Sequence, residues 1–155
     1  MKDKTLRDQL VVLLRGGEAH TPVENAIRGF PSALAQSRVG AIPHTPWRLL
    51  EHMRIAQWDI LEFCRNPDHV SPKFPDGYWP SGDAPPTDSS WDESVAAFCS
   101  DLIAMQRLVE DPEDDLYAPI PHGDGQTLLR EALLVADHNS YHLGQLMAIR
   151  RGLEK

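Results

Sequence analysis

The run from Ser90 to Val109 constrains the fold more than any other part of the chain. Trp91, Val95, Phe98, Leu102, Met105 and Val109 recur at alternating spacings of four and three. Such a stripe lies along one side of an α-helix and has to be buried against other helices over its whole length. Ser90-Trp91-Asp92-Glu93 at its start has the form of a capping box, and Asp111-Pro112 marks its end. A helix of this kind demands partners.

The rest of the chain supplies them. A first helix reads from Asp3 to Arg15, with Leu6, Leu10 and Leu13 on one stripe and Gly16-Gly17 as the stop. Thr21-Pro22-Val23-Glu24 carries an N-cap hydroxyl, a proline at the first helical position and a glutamate at the third. Pro31 and Gly40 limit this second segment, which predicts short helical pieces from Pro22 to about Arg38. Thr45-Pro46 repeats the start signal for a helix that runs to about Arg65 and is stopped by Asn66-Pro67. Leu49, Met53, Ala56, Ile60 and Phe63 form its apolar stripe, and His52 borders it. Thr127 caps a last helix, in which Leu128, Glu131, Val135, His138, His142, Gln145 and Ile149 share one stripe. Leu129, Ala132, Ala136, Leu143 and Leu146 form the adjoining one.

Nothing reads as a β-strand. Between Pro67 and Ser90 the helical pattern is lost to six prolines mixed with Phe74, Tyr78 and Trp79. A connection this long is functional or disordered, and its aromatics predict a packed crossover that covers one end of the helices. A second irregular stretch runs from Pro112 to Gln126. The expectation is an all-α fold, one domain over residues 1–155, built as a four-helix bundle with long crossovers that permit parallel neighbours. Pattern alone leaves the order of the helices open.

A net charge of -8 over 155 residues argues against a nucleic-acid partner, which requires a Lys/Arg surface. Met1-Lys2-Asp3-Lys4-Thr5 leads into amphipathic sequence, and no apolar run is long enough for a leader or a membrane span. Cys64 and Cys99 both sit within helical patterns and read as reduced, buried thiols. Together these features predict a cytoplasmic protein with no membrane partner.

The last helix carries an anomaly. Glu131, His138, His142 and Gln145 occupy inward or border positions where leucine is expected. Burying such groups without partners costs roughly 1–3 kcal/mol each, so several on one stripe need a shared reason. A bound cation supplies one. Residues four apart on a helix face the same way, so His138 and His142 can take two positions on one divalent metal. His52 is the first choice for the third ligand and His44, in the loop ahead of the same helix, is its rival. His20, His69 and His122 lie in Pro/Gly/Asp-rich connections and are expected to be exposed. Three protein ligands with an open position form the pattern of catalytic zinc sites. Asn139 follows His138 where a zincin has its glutamate, which disfavours metalloprotease chemistry. Asp59, two turns beyond His52, and Glu131 are the candidates for a catalytic base or for a carboxylate that orients a ligand imidazole. Asp137 reads instead as a solvated or capping charge. Tyr78, Trp79 and Tyr141 are candidate pocket walls.

Two stretches, Pro46-Trp47-Arg48-Leu49-Leu50-Glu51-His52-Met53 continuing through Ala56-Gln57-Trp58-Asp59-Ile60, and Asp137-His138-Asn139-Ser140-Tyr141-His142-Leu143-Gly144-Gln145, resemble the DinB/YfiT-like superfamily of small metal-binding four-helix bundles. The resemblance spans about Leu6 to Arg151. It implies metal ligands at His52, His138 and His142, an up-up-down-down bundle, a homodimer, and a divalent ion that is zinc or nickel, with iron or manganese as further options. It also implies a divalent-metal-dependent enzyme, a thiol S-transferase that joins a low-molecular-weight thiol to an electrophile. The alternatives are a metal-dependent hydrolase and a non-catalytic, stress-associated metal-binding dimer.

Overall fold

The computed structural model describes residues 3–154. It is helical, with α1 (Lys4–Arg15), α2 (Val23–Arg28), α3 (Pro46–Arg65), α4 (Ser90–Glu110) and α5 (Leu128–Leu153), and single 3₁₀ turns at Ser32–Leu34 and Asp76–Tyr78. Among the described residues there is no strand, only an isolated bridge between Pro119 and Thr127. None of the helices is long and apolar enough to cross a membrane.

Local chemistry accounts for most of the boundaries. Thr45 Oγ1 accepts the Arg48 N–H at 3.3 Å and Thr127 Oγ1 accepts the Arg130 N–H at 3.2 Å, so each hydroxyl satisfies a first-turn donor. Gly16, at φ +69°, ends α1 in a backbone conformation that a Cβ disfavours. Two expected starts differ. The second helix begins at Val23 and Thr21 gives it no side-chain cap. The capping box before α4 is absent as well: the helix already includes Ser90, Ser89 at the cap makes no side-chain bond to the first turn, and the Ser90 hydroxyl accepts from the Thr87 N–H at 3.1 Å.

The core is continuous through all five helices. The α4 seam is buried at every one of its six positions, against Leu49, Leu50, Met53 and Leu61 of α3 and Val135, Leu143, Leu146 and Ile149 of α5. The stripe of α1 is rotated from the expected one. Leu10, Val11 and Leu14 are buried, whereas Leu13 is 50% exposed. The rotation brings Arg7 inward, where its guanidinium donates to the carbonyls of Val109 (2.7 Å), Asp111 (2.7 Å) and Asp114 (2.6 Å). These are acceptors at the C-terminal end of α4 and just beyond it, which the helix itself leaves unpaired.

Cross-helix bonds give the directions. Ser94 of α4 donates to Glu51 of α3 at 2.6 Å, and Gln57 of α3 donates to the Phe98 carbonyl of α4 at 2.8 Å, so position numbers rise together and these neighbours run the same way. Along α5 they run oppositely: His52 lies beside His138, while Asp59 and Glu131 line one cavity of about 240 Å³. Arg7 sits at the C-terminal end of α4 and Phe30 stacks near Trp91 at its N-terminal end, so α1 leads into α2 against the direction of α4. The parallel neighbours are therefore α3 and α4, a departure from the expected up-up-down-down order.

That sense dictates the first long connection. A 20-residue α3 rises about 30 Å, and the chain has to travel back that far before α4 can start beside it. Residues 66–89 make this return along the flank of α3. His69 bonds Asp59, the Pro80 carbonyl accepts from Arg48 at 3.1 Å, and the Asp83 carbonyl accepts from Thr45 at 2.7 Å. The crossover thus clothes the length of one helix instead of covering one end of the bundle. Tyr78 and Trp79 are partly buried in it, but Phe74, expected to pack, is 81% exposed.

Candidate metal centre

The antiparallel register of α3 and α5 brings the second turn of one level with the middle of the other, and three imidazoles meet there. The nearest ring nitrogens of His52, His138 and His142 all lie within 4.8 Å of one another. His52 Nε2 and His138 Nε2 are 3.0 Å apart, and the ring centroids are separated by 4.6–4.8 Å. Two nitrogens bound to one tetrahedral ion at about 2.0–2.1 Å stand roughly 3.3 Å apart, so the observed spread brackets what a single cation needs.

The outer nitrogens are also prepared for such a role. His52 Nδ1 lies 2.8 Å from the Tyr78 carbonyl, an acceptor only, so it carries the proton and leaves the Nε2 lone pair free. His142 Nδ1 faces Gln145 Oε1 at 2.8 Å, with the same consequence. This is the outer-shell arrangement that orients metal-binding histidines. Burial pushes the His138 pKa down to about 4, with the neighbouring His142 and His52 adding to it. Burial lowers His52 too, against the opposing effect of the Tyr78 bond, and it lowers His142 against the bond to Gln145. All three rings are neutral near pH 7, the state a metal ligand requires.

Aromatic groups frame the cluster. The Trp79 indole lies flat on His52, with centroids 3.9 Å apart and planes 2° from parallel, and it is also stacked with His44 at 4.2 Å. Arg48 reaches over the same indole at 5.4 Å. Tyr141 stands edge-on to His142 at 4.9 Å and is largely exposed. His44, the rival third ligand, is outside the three-nitrogen group and holds its place through Trp79.

The two carboxylates expected to serve the site do not touch it. Asp59 accepts from His69 Nε2 at 2.7 Å and from the Tyr78 hydroxyl at 2.6 Å. Glu131 is paired with Arg130. Each lies seven residues along its helix from a ligand candidate, or about 10 Å of rise, which puts both out of reach of the rings. His69, expected to be exposed, is partly buried, its side chain covered against Asp59, while His20 and His122 lie at the surface. Asp137 is exposed, as expected. The thiols are remote from this chemistry: burial raises Cys99, and burial with Glu131 nearby pushes Cys64 up to about 12.

Comparison with protein-family models, with curated proteins and with solved structures finds no significant match for the chain.

Proposed function

We propose that this chain is a DinB-like four-helix bundle in which His52, His138 and His142 hold one divalent cation, zinc or nickel, and that it acts as a thiol S-transferase. The observation that carries this reading is the convergence of three neutral imidazoles from two helices, two of them with Nδ1–H already committed to an oxygen acceptor. A divalent ion bound there supplies Lewis acidity, which lowers the pKa of a low-molecular-weight thiol that takes a remaining coordination position. The protein's own part is to keep the three rings unprotonated, to fix their tautomers, and to wall the approach with Trp79 and Tyr141. Neither Asp59 nor Glu131 reaches the rings, so the ion itself would have to acidify whichever nucleophile binds there, and a thiol, more acidic than water to begin with, is the more readily deprotonated of the two.

Elemental analysis of purified protein, paired with thermal shifts in Zn²⁺, Ni²⁺ and Mn²⁺, tests the metal. A panel of small thiols against a chromogenic electrophile then tests the reaction. The expected result is stoichiometric metal and thiol conjugation, both lost in His138→Ala, with metal retained in His44→Ala. Protein that carries no divalent ion and shows no shift with any of the three refutes the proposal.

A further inference from the structure

A buried carboxylate two turns from the cluster is joined to it by an unbroken line of contacts. Asp59 is 8% exposed and accepts at both oxygens, from His69 on Oδ1 and from the Tyr78 hydroxyl on Oδ2. Tyr78 in turn offers its backbone carbonyl to His52 Nδ1 at 2.8 Å, and the next residue, Trp79, lies flat on the same ring. Burial, and then the bond to Asp59, push the Tyr78 hydroxyl up to about 12, so it remains a donor.

We propose that Asp59 is a positioning residue for the metal centre: it latches the crossover to α3 through Tyr78 and His69, and the latched backbone sets the tautomer and the plane of His52. The inference rests on the metal reading for its consequence, but the latch itself exists without metal. Both partners of Asp59 donate, so only a group that accepts at both ends fits between them. An asparagine presents an amide donor at one end and has to give up one arm. A free crossover loses the orientation of the Tyr78 carbonyl, the outer partner of His52, and outer partners of metal-bound histidines are worth about 10- to 100-fold in metal affinity.

The experiment uses the full chain, with Zn²⁺ affinity measured by competition against a chromophoric chelator. Asp59→Asn and Tyr78→Phe each weaken Zn²⁺ about 10- to 100-fold, and the double variant is no weaker than the worse single, because both act through one latch. Met105→Ala, a core truncation on α4, lowers the melting temperature while leaving Zn²⁺ affinity unchanged. Wild-type affinity in both latch variants, or an equal loss in Met105→Ala, overturns the proposal. A second measurement decides the matter in metal-free protein. The His52 Nδ1–H, assigned by NMR with His52→Gln, is protected from exchange in the wild type and unprotected in Asp59→Asn. Protection that survives Asp59→Asn overturns the latch even if the protein binds no metal, whereas absence of Zn²⁺ binding by the wild type counts against the metal reading alone.

Discussion

Acid competes with metal for the same nitrogens, and the burial of His138 decides how strongly. An imidazole with the ordinary pKa of 6.5 loses affinity for a cation by a factor of about 1 + 10^(6.5−pH), which is roughly 1.3 at pH 7 and 33 at pH 5. Three unperturbed ligands would weaken binding by about 10⁴ over that interval. His138 titrates at about 4 and contributes almost nothing to the loss. His52 and His142 are also lowered, so their share is below the roughly 600-fold that two ordinary imidazoles would give. Zn²⁺ affinity should therefore fall by less than about 600-fold between pH 7 and pH 5. Chelator competition at the two pH values, with the chelator's own protonation corrected, measures it. A fall near 10⁴ would mean that the rings are not desolvated as the packing requires.

The same burial predicts acid sensitivity in metal-free protein. The unfolded chain takes up a proton at residue 138 around pH 6.5 and the folded chain only at about 4, so the contribution of this ring to stability is flat above 6.5 and declines as pH falls from 6.5 toward 4, with the lowered His52 and His142 acting in the same direction. Urea midpoints across that range should show a slope below about 1.4 kcal/mol per pH unit from this group, reduced by its partial exposure, and His138→Asn should flatten it. Arg7→Met strips three carbonyls of a charged donor, costing about 2–4 kcal/mol and about 4–16 °C in melting temperature. Arg7→Lys should not rescue it, since one ammonium cannot span the three acceptors that the guanidinium fork reaches. Gln57→Leu leaves the Phe98 carbonyl and the Asn139 amide without their partner, for a loss of about 1–3 kcal/mol by denaturant unfolding, and Gln57→Leu with Asn139→Leu should recover part of it.

Whatever repeats with the period of a helix, or sits at its ends, is legible in the sequence. The seam of α4, the threonine caps of α3 and α5 and the i, i+4 pair of imidazoles are such features, and the structure contains them all. The pairing of His52 with His138 is legible because His52 borders an apolar stripe. The departures share a different cause. Leucine scores as apolar, which puts Leu13 on the buried face, but three carbonyls at the far end of α4 compete for that face and take Arg7. Residues 52 and 59 share an angular position, which points Asp59 at the rings, although angle says nothing of the 10 Å between them along the axis. The prolines around His69 suggest exposure, since nothing local to the loop announces that it doubles back on α3. Asn139 stands out in the sequence only as the residue that breaks a protease motif, yet it is buried and its amide donates to Gln57 at 2.8 Å.

The doubling back also ties the topology to the site. Parallel α3 and α4 cannot be joined by a tight turn, so the chain is obliged to lay some 24 residues against a helix that carries one of the three imidazoles. Any return path would satisfy the connection. This one delivers a carbonyl to His52 Nδ1 and an indole to its face, at the only ligand candidate whose helix contributes a single histidine to the cluster. On α5 the two rings hold each other at i, i+4, and Gln145 supplies the outer acceptor of His142 from the same helix. A lone ring on α3 has no such neighbour, because the positions three and four residues away hold Arg48, Leu49, Ile55 and Ala56, none of which offers a side-chain acceptor. The crossover therefore provides for His52 what helical periodicity provides for the other pair. A shortened connection that still spans the distance but omits residues 78 and 79 should keep the helical circular dichroism of the wild type and weaken Zn²⁺, by chelator competition, by at least the roughly 10- to 100-fold that an outer partner is worth.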